Sequence, residues 1–137
     1  MRAMGLDVGD RTIGVAVSDA LGITAQGVET IRRTNLKADY KRIGEIVLEK
    51  DIHTIVVGLP KNMNGTIGTQ GQKVLEFTEA LKKRLPKQQI VLWDERLTTV
   101  AAEKALISAD VSRKNRKTVI DMVAATYILQ GYLDQKK

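Results

Sequence analysis

The fold is decided by a short stretch near the start of the chain, Ala3-Met4-Gly5-Leu6-Asp7-Val8-Gly9. Asp7 stands at its centre, with apolar neighbours on both sides and a glycine two positions away in each direction. This pattern predicts a strand in which the acid and the glycines share one face. A buried carboxylate is costly unless a partner meets it, and bare glycines leave room for one. Asp7 therefore faces a metal ion or phosphate, or else it is held by the backbone amides of the following turn.

The rest of the chain predicts an α/β fold around this strand. Alternating or continuous apolar runs predict further strands at residues 12–18, 26–32, 54–59 and 89–93. Helical periodicity predicts helices that begin near Leu36, Gly68, Thr98 and Thr118. Glycine-rich turns favour an antiparallel meander for the first three strands. With no repeat or linker, residues 1–137 are expected to form a single domain, a five-stranded mixed sheet flanked by helices in the order β-β-β-α-β-α-β-α-α.

Composition limits the classes of function. The 137 residues include no cysteine and one histidine, His53, which excludes disulfides, thiolate metal sites and the usual histidine-rich zinc sites. A length of 137 residues with 43% hydrophobic content suits one ordinary globular domain. Neither an apolar signal segment nor a run of membrane-spanning length is present in the sequence. We therefore expect a cytoplasmic protein with no membrane partner.

The positive charge is concentrated in the second half of the chain. The formal net charge is +6, with a balance of +1 over residues 1–70 and +5 over residues 71–137. A one-sided positive field suits a polyanionic partner such as nucleic acid, although basic surfaces also serve solubility. One Trp, three Tyr and one Phe are too few for an extended base-stacking surface.

Three positions place an acid where apolar surroundings are expected. The first is Asp7. At the end of the last predicted strand, Asp94 and Glu95 fall on opposite faces, so one of them points toward the buried side. Asp121 lies beside an apolar stripe of small residues at helical spacing. A capping box formed by Thr118 and Asp121 would explain this third acid without any function.

Acids from two strands and a helix, in a chain with no cysteine, suit a hard cation such as Mg²⁺ or Mn²⁺. Two such ions about 4 Å apart would activate a water molecule and stabilise the leaving oxygen of a phosphodiester. The alternative for the second position is an exposed strand end at which Glu95 pairs with Arg96, an arrangement that contributes little.

Basic residues precede the helix that carries Asp121. The segment Arg113-Lys114-Asn115-Arg116-Lys117 brings four cations to the point where a phosphate backbone would pass, although such runs are usually solvated loops. The loop that begins at Lys61 offers ammonium and amide groups, and a simple turn explains it equally well. The candidate substrate-binding residues are Arg11, Lys61, Asn62, Arg96, Arg113, Lys114, Arg116 and Lys117.

These motifs together resemble the YqgF (RuvX) family over essentially the whole chain. The resemblance rests on Gly5–Gly9, Ile13–Asp19, Val57–Pro60 with Asn64-Gly65, Trp93–Thr99 and Asp121–Ala125. It implies an RNase H-like fold, kinship with Holliday-junction resolvases, and a nuclease role in maturing the 5′ end of pre-16S rRNA. It also implies an acidic triad, catalytic and metal-binding, of Asp7, Glu95 and Asp121, which selects Glu95 over Asp94. Many members have a basic residue directly before Ile-Gly, where this chain has Thr12, preceded by Arg11.

The expected function is therefore that of a metal-dependent nuclease, a hydrolase using Mg²⁺ or Mn²⁺ in a two-metal site. Its expected partners are structured RNA such as pre-rRNA and the ribosomal subunit precursor, with the chain a monomer or homodimer. One alternative is a Holliday-junction-resolvase-like endonuclease acting on branched DNA, and another is a non-catalytic RNA-binding factor in ribosome assembly. An actin-like ATPase or sugar kinase needs two domains, which 137 residues do not supply.

Overall fold

A mixed sheet with helices on both faces forms the part of the chain that is described. The computed structural model describes residues 1–97 and 116–136, with the backbone alone at 116–119 and at 121. Its elements are β1 (Arg2–Val8), β2 (Thr12–Ser18), β3 (Ala25–Arg32), α1 (Leu36–Lys50), β4 (Ile52–Leu59), α2 (Thr69–Arg84), β5 (Gln89–Asp94), a short 3₁₀ turn (Glu95–Leu97) and α3 (Arg116–Gln135). Within these ranges, no helix combines the length and the apolar character needed to cross a bilayer.

The strands lie side by side in the order β3-β2-β1-β4-β5. The first three form the predicted antiparallel meander, while β4 joins β1 in parallel and β5 joins β4 in parallel. Parallel neighbours need a crossover, which α2 provides between β4 and β5. The predicted five-stranded mixed sheet is confirmed. The helix predicted at about 98–108 lies outside the described residues, and the single domain over residues 1–137 stays a prediction.

Alternation along the strands gives the sheet two faces of different character. The face toward α1 and α2, which we call the large-residue face, is built from long apolar side chains such as Met4, Leu6, Ile13, Ile55, Val57 and Leu59. The opposite face, which we call the small-residue face, packs against α3 and includes Ala3, Ala16, Val56 and Trp93. Its residues beneath α3 are mostly short, so the helix can lie close to the strands.

Gly5 shows how close α3 comes. A Cβ atom built on Gly5 would lie 2.7 Å from Leu129 Cβ and 2.8 Å from the carbonyl oxygen of Ala125. Any side chain at this position would therefore displace the helix itself, because both atoms belong to or adjoin its backbone. Gly5 and Asp7 share this face, so the helix that presses on one passes near the other.

Candidate active site

Asp7 lies at the carboxyl end of β1, on the small-residue face. It is 8% exposed, and its partner across the strand pair is Gly14 of β2, which puts no side chain beside the carboxylate. Because β1, β4 and β5 are parallel, their carboxyl ends lie at one edge of the sheet. Ligands in open α/β sheets bind outside this edge. Asp7 is thus a buried acid at the position where such a sheet binds its ligand.

Glu95 reaches the same face from the end of β5. A Cβ atom built on Gly58 would lie 2.7 Å from Glu95 Oε1, so the carboxylate lies against the backbone of that glycine. The parallel register pairs Leu6 with Val57, and its continuation sets Asp7 beside Gly58 at a strand spacing of about 4.8 Å. The structure therefore brings Asp7 and Glu95 to the same stretch of the small-residue face.

Asp94 points the other way. Its register partner is Leu59, a residue of the large-residue face, so the two adjacent acids take opposite faces as strand alternation predicts. Arg96 Nη2 donates to Asp94 Oδ2 at 2.8 Å, and Lys61 Nζ lies 3.7 Å from the same oxygen. The hydrogen bonds from Arg96 lower the pKa of Asp94 to about 2. The alternative in which Arg96 pairs with Glu95 is therefore wrong, because its guanidinium group binds Asp94.

The direction of α3 determines which of its residues lie near this edge. Met122 lies against Gly27 in the body of β3, whereas Leu133 lies against Gly22 in the turn before that strand. Since β3 and β1 both run antiparallel to β2, the helix runs antiparallel to β1. The beginning of α3 therefore lies at the carboxyl end of β1.

The backbone of Asp121 stands level with Asp7. The carbonyl oxygen of Ala125 lies over Gly5, and residue 121 precedes Ala125 by about one helical turn, roughly 6 Å along the axis. Asp7 lies two residues beyond Gly5, about 6.6 Å along β1 in the same direction. The side chain of Asp121 is not among those described, so its part in the site stays a prediction.

The alternative explanation of Asp121, a capping box that begins at Thr118, is not supported by the bounds of the helix. A cap residue precedes the first helical turn, but α3 already includes Arg116, and Thr118 lies inside it. Asp121 consequently falls in the second turn of the helix rather than at the third position after a cap. That alternative took the nearest threonine before the apolar stripe as the cap, whereas the helix also includes Arg116 and Lys117.

Three predicted substrate-binding residues make contacts within the protein. Arg96 also donates from Nη1 to the carbonyl oxygen of Met63 at 3.3 Å, which ties the loop after β4 to the end of β5. Asn62 donates from Nδ2 to Thr66 Oγ1 at 2.8 Å and so closes that same loop. Lys61 pairs with Asp94, the same acid that binds Arg96. These contacts place the loop beside the acidic edge, and the substrate contacts predicted for it remain predictions.

The remaining predicted cations fall into two groups. Arg11 is exposed in the turn between β1 and β2, at the same edge as Asp7. Arg116 and Lys117 occupy the first turn of α3, where only the backbone is described, and that turn also lies at this edge. Arg113 and Lys114 lie outside the described residues.

Sequence reasoning missed the part that Gly58 plays. Besides its contact with Glu95, the position of a Cβ atom here is already filled by the Ile128 side chain from α3. An isolated glycine within a run of β-branched residues signals a close approach to the backbone, and residues 54–59 carry that signal. The pattern could therefore have identified Gly58 as the floor of the site.

The donor set determines which metal would fit this edge. Asp7 and Glu95 supply carboxylate oxygens, and His53 is exposed near the opposite end of β4, so the available ligands suit Mg²⁺ or Mn²⁺. Among the side chains that are described, no three of His, Cys, Asp and Glu stand close enough together to hold a metal ion. The third predicted ligand, Asp121, is not one of those side chains.

Comparison with known sequences identifies close relatives. The family model RuvX, described as Holliday junction resolvase, matches residues 1–135. A Clostridium tetani protein named "Putative pre-16S rRNA nuclease" is 64% identical over 134 residues, covering 98% of this chain and 96% of the relative. A Desulforamulus reducens protein of the same name is 61% identical, covering 98% of this chain and 97% of its own length.

Comparison with solved structures shows the fold. Thermus thermophilus RuvC in complex with a Holliday junction substrate aligns with a TM-score of 0.64 and 12% identity, over 99% of this chain and 95% of that chain. The Fowlpox virus resolvase in complex with Holliday junction DNA aligns with a TM-score of 0.59 and 10% identity, over 99% of both chains. The RNase H-like fold implied by the sequence is thereby confirmed, and the near full-length sequence matches show that the chain belongs to the RuvX family.

Proposed function

We propose that this chain is a metal-dependent nuclease that hydrolyses phosphodiester bonds during maturation of the 5′ end of pre-16S rRNA. The observation that carries the proposal is the meeting of Asp7 and Glu95 beside Gly58, at the carboxyl edge of the parallel strands. The names of relatives that are 64% and 61% identical over nearly their whole length support the choice of substrate.

The acidic residues would hold the metal. Asp7, Glu95 and Asp121 are the proposed ligands for Mg²⁺ or Mn²⁺, and the metal would supply an activated water and stabilise charge on the phosphate. Burial of Asp7 limits the orientations of its carboxylate, which favours a fixed ligand geometry. The pair between Asp94 and Arg96 fixes the end of β5, from which Glu95 reaches the site.

The cations around this edge would bind the phosphate backbone. Arg11, Arg116 and Lys117 lie at the edge that carries the acids, and Arg113 and Lys114 precede them in the chain. Arginine and lysine side chains are among the groups that contact phosphate oxygens, and such contacts fix the register of the protein on the nucleic acid. The proposed partners are accordingly structured RNA and the ribosomal subunit precursor, encountered in the cytoplasm.

Replacing Asp7 by Asn tests the proposal directly. A pre-16S rRNA fragment and a four-way DNA junction are each incubated with wild type or Asp7→Asn in Mg²⁺ or Mn²⁺, with EDTA blanks. We expect the wild type to cut the rRNA, and Asp7→Asn to form no product above the blank while still binding RNA, because only a metal ligand is lost. The matched control is Asp10→Asn, since Asp10 is three residues away and its side chain is 65% exposed beside Lys73.

The two substrates separate this proposal from its alternatives. Cleavage of the junction in preference to the rRNA would favour a DNA resolvase, the activity given in the family's description. RNA binding with no metal-dependent product from either substrate would favour a non-catalytic assembly factor. Full cleavage by rigorously purified Asp7→Asn would show that Asp7 is not a metal ligand.

A further inference from the structure

The turn between β1 and β2, residues 9–11, begins two residues after Asp7 and is bound from outside the hairpin. The carbonyl oxygen of Gly9, at the start of the turn, accepts a hydrogen bond from Arg33 Nη1 at 2.6 Å. The carbonyl oxygen of Arg11, at its end, accepts a second bond from the amide of Arg33 at 2.8 Å. One residue just beyond β3 therefore binds both ends of the turn that follows the buried acid.

Arg33 is itself fixed by the two helices on the large-residue face. Its Nε donates to Asp39 Oδ2, in the first turn of α1, at 3.0 Å, and the Asp39 side chain is only 2% exposed. Its guanidinium group also lies over the ring of Phe77 in α2, 5.5 Å from the ring centroid. Breaking a buried ion pair leaves an uncompensated charge, which is strongly destabilising. The pair with Asp39 therefore ties the position of the turn to that of α1.

A residue of α2 binds the same stretch of backbone. Gln70, in the first turn of α2, donates from Nε2 to the carbonyl oxygen of Val8 at 3.2 Å. The carbonyl oxygens of residues 8, 9 and 11 thus all accept hydrogen bonds from groups outside the β1–β2 hairpin. Such contacts leave the end of β1 little freedom to shift along or out of the sheet.

The contacts of Arg33 reach Asp7 through the backbone rather than through charge. Arg33 and Asp39 form a pair of opposite charges on the large-residue face, whereas the Asp7 carboxylate lies on the other face of the sheet. The fields of two opposite charges 3.0 Å apart largely cancel at a distance. What Arg33 determines is the location of the Gly9 carbonyl group, and with it the end of the strand that presents Asp7.

We propose that Arg33 is a positioning residue, which holds the β1–β2 turn so that the Asp7 carboxylate keeps the geometry that Mg²⁺ or Mn²⁺ requires. Mg²⁺ demands near-ideal octahedral coordination, so a small displacement of one ligand lowers affinity. Groups that orient a metal ligand without touching the metal typically change affinity or activity by about 10- to 100-fold. This inference rests on the proposed nuclease function and adds to it a residue on the opposite face of the sheet.

Arg33→Lys tests the inference, with Arg42→Lys as its matched control. The new ammonium group can stay paired with the buried Asp39, so the protein keeps its fold, but it lacks the fork that binds Asp39 and Gly9 together. Arg42 would lose the same kind of fork, because its Nε and Nη2 donate to Glu29 at 3.0 and 2.6 Å and join α1 to β3. Among the described residues, Arg42 forms ion pairs only with glutamates and does not bind the turn.

Hydrogen exchange measures the turn itself, with no metal or RNA present. The amide of Gly9 donates to the carbonyl oxygen of Thr12 at 2.9 Å, and NMR follows its exchange. We expect this exchange to be about 2- to 10-fold faster in Arg33→Lys, the effect of losing one hydrogen bond, and unchanged in Arg42→Lys. The amide of Ile55, in the core, reports on global opening. An unchanged rate at Gly9, or an equal increase at Ile55, would overturn the inference.

Binding of Mn²⁺ to the protein without RNA, measured by titration calorimetry, tests the consequence for the site. We expect the Kd for Mn²⁺ to rise about 10-fold in Arg33→Lys and to stay at the wild-type value in Arg42→Lys. Equal Kd values for Arg33→Lys and wild type would show that the turn does not position a metal ligand. An equal rise in Arg42→Lys would show that any lost fork has this effect, which also contradicts the inference.

Cleavage of the pre-16S rRNA fragment separates this inference from the function on which it rests. If the wild type cuts RNA and Arg33→Lys equals it in Mn²⁺ affinity and in rate, the positioning role alone is wrong. If the wild type binds Mn²⁺ and cuts nothing, while Arg33→Lys binds Mn²⁺ more weakly, Arg33 positions a metal site and the nuclease proposal is wrong. A wild-type protein that binds no Mn²⁺ would overturn both.

Discussion

The two faces of the sheet share the same strands and differ in the size of their side chains. On the large-residue face, long aliphatic residues such as Leu6 and Ile55 are fully buried beneath α1 and α2. On the small-residue face, Gly5 and Gly58 bring α3 and Glu95 against the backbone. The first face contributes most of the apolar burial and the second brings charged groups to one edge. Because side chains alternate along the strands, most of the stabilising apolar burial lies on one face of the sheet and the candidate site lies on the other.

The largest effects should come from one substitution on each face. Ile55→Ala removes a fully buried side chain from the large-residue face and should cost about 2–5 kcal/mol of unfolding free energy. Gly5→Ala adds a methyl group where Leu129 Cβ and the Ala125 carbonyl oxygen are already in contact, and overpacking of this kind costs about 1–3 kcal/mol. Urea unfolding measures both values.

Activity should rank these two variants in the opposite order. Gly5→Ala moves the helix that carries Asp121, and a misplacement of about 1 Å can lower a rate by about 10²-fold. Ile55→Ala leaves that helix in place, so its cleavage rate should stay near the wild-type value at a temperature where it is folded. If Gly5→Ala and Ile55→Ala lost equal activity at the same folded fraction, the two faces of the sheet would not differ in their contribution to activity.

Asp94 and Glu95, the adjacent acids at the end of β5, lie on opposite faces of the sheet. Asp94 therefore allows a second test of the difference between the faces, with a smaller expected effect. The hydrogen bonds from Arg96 lower the pKa of Asp94 to about 2 from its ordinary value of 3.8. The folded state therefore favours the ionised form, and the resulting stability is present above about pH 4 and is lost as the pH falls toward 2. For a pair this close to the surface we expect up to about 1 kcal/mol.

Asp94→Asn should therefore be less stable than wild type at pH 7 and should lose less stability between pH 4.5 and pH 2.5. Arg96→Gln should show the same flattened profile, because it removes the partner that shifts the pKa. Urea midpoints at the two pH values measure the effect. A wild-type acid profile in Asp94→Asn would mean that another group causes the loss.

The placement of the acids was largely predictable from the sequence because strand alternation is a local property. A period of two residues assigned Asp7 to the glycine face and separated Asp94 from Glu95, and the structure agrees with both assignments. Beyond the meander of the first three strands, the order of the strands was not predicted. That order depends on which crossovers pack, and these contacts join residues that are far apart in the sequence.

The face of Arg32 could not be predicted, because a bulge interrupts β3. The register shifts between Val15 and Ala16, so Ala16 pairs with Gly27 and Val15 with Glu29. Alternation counted from Ala25 would place Arg32 on the large-residue face, whereas the extra residue moves it to the small-residue face. An insertion of one residue in the pairing is invisible to a period-two pattern, and here it moves a cation to the side of the acids.

The smallest effect concerns the start of α3. If Thr118 were the cap of this helix, Thr118→Ala would lower the unfolding free energy by about 1 kcal/mol. Because Thr118 lies inside the helix, where alanine is the better helix former, we expect the substitution to raise stability by a few tenths of a kcal/mol. Urea unfolding distinguishes the two by sign. A loss near the cap value would place the helix start at Thr118 and return Asp121 to a capping role that requires no metal.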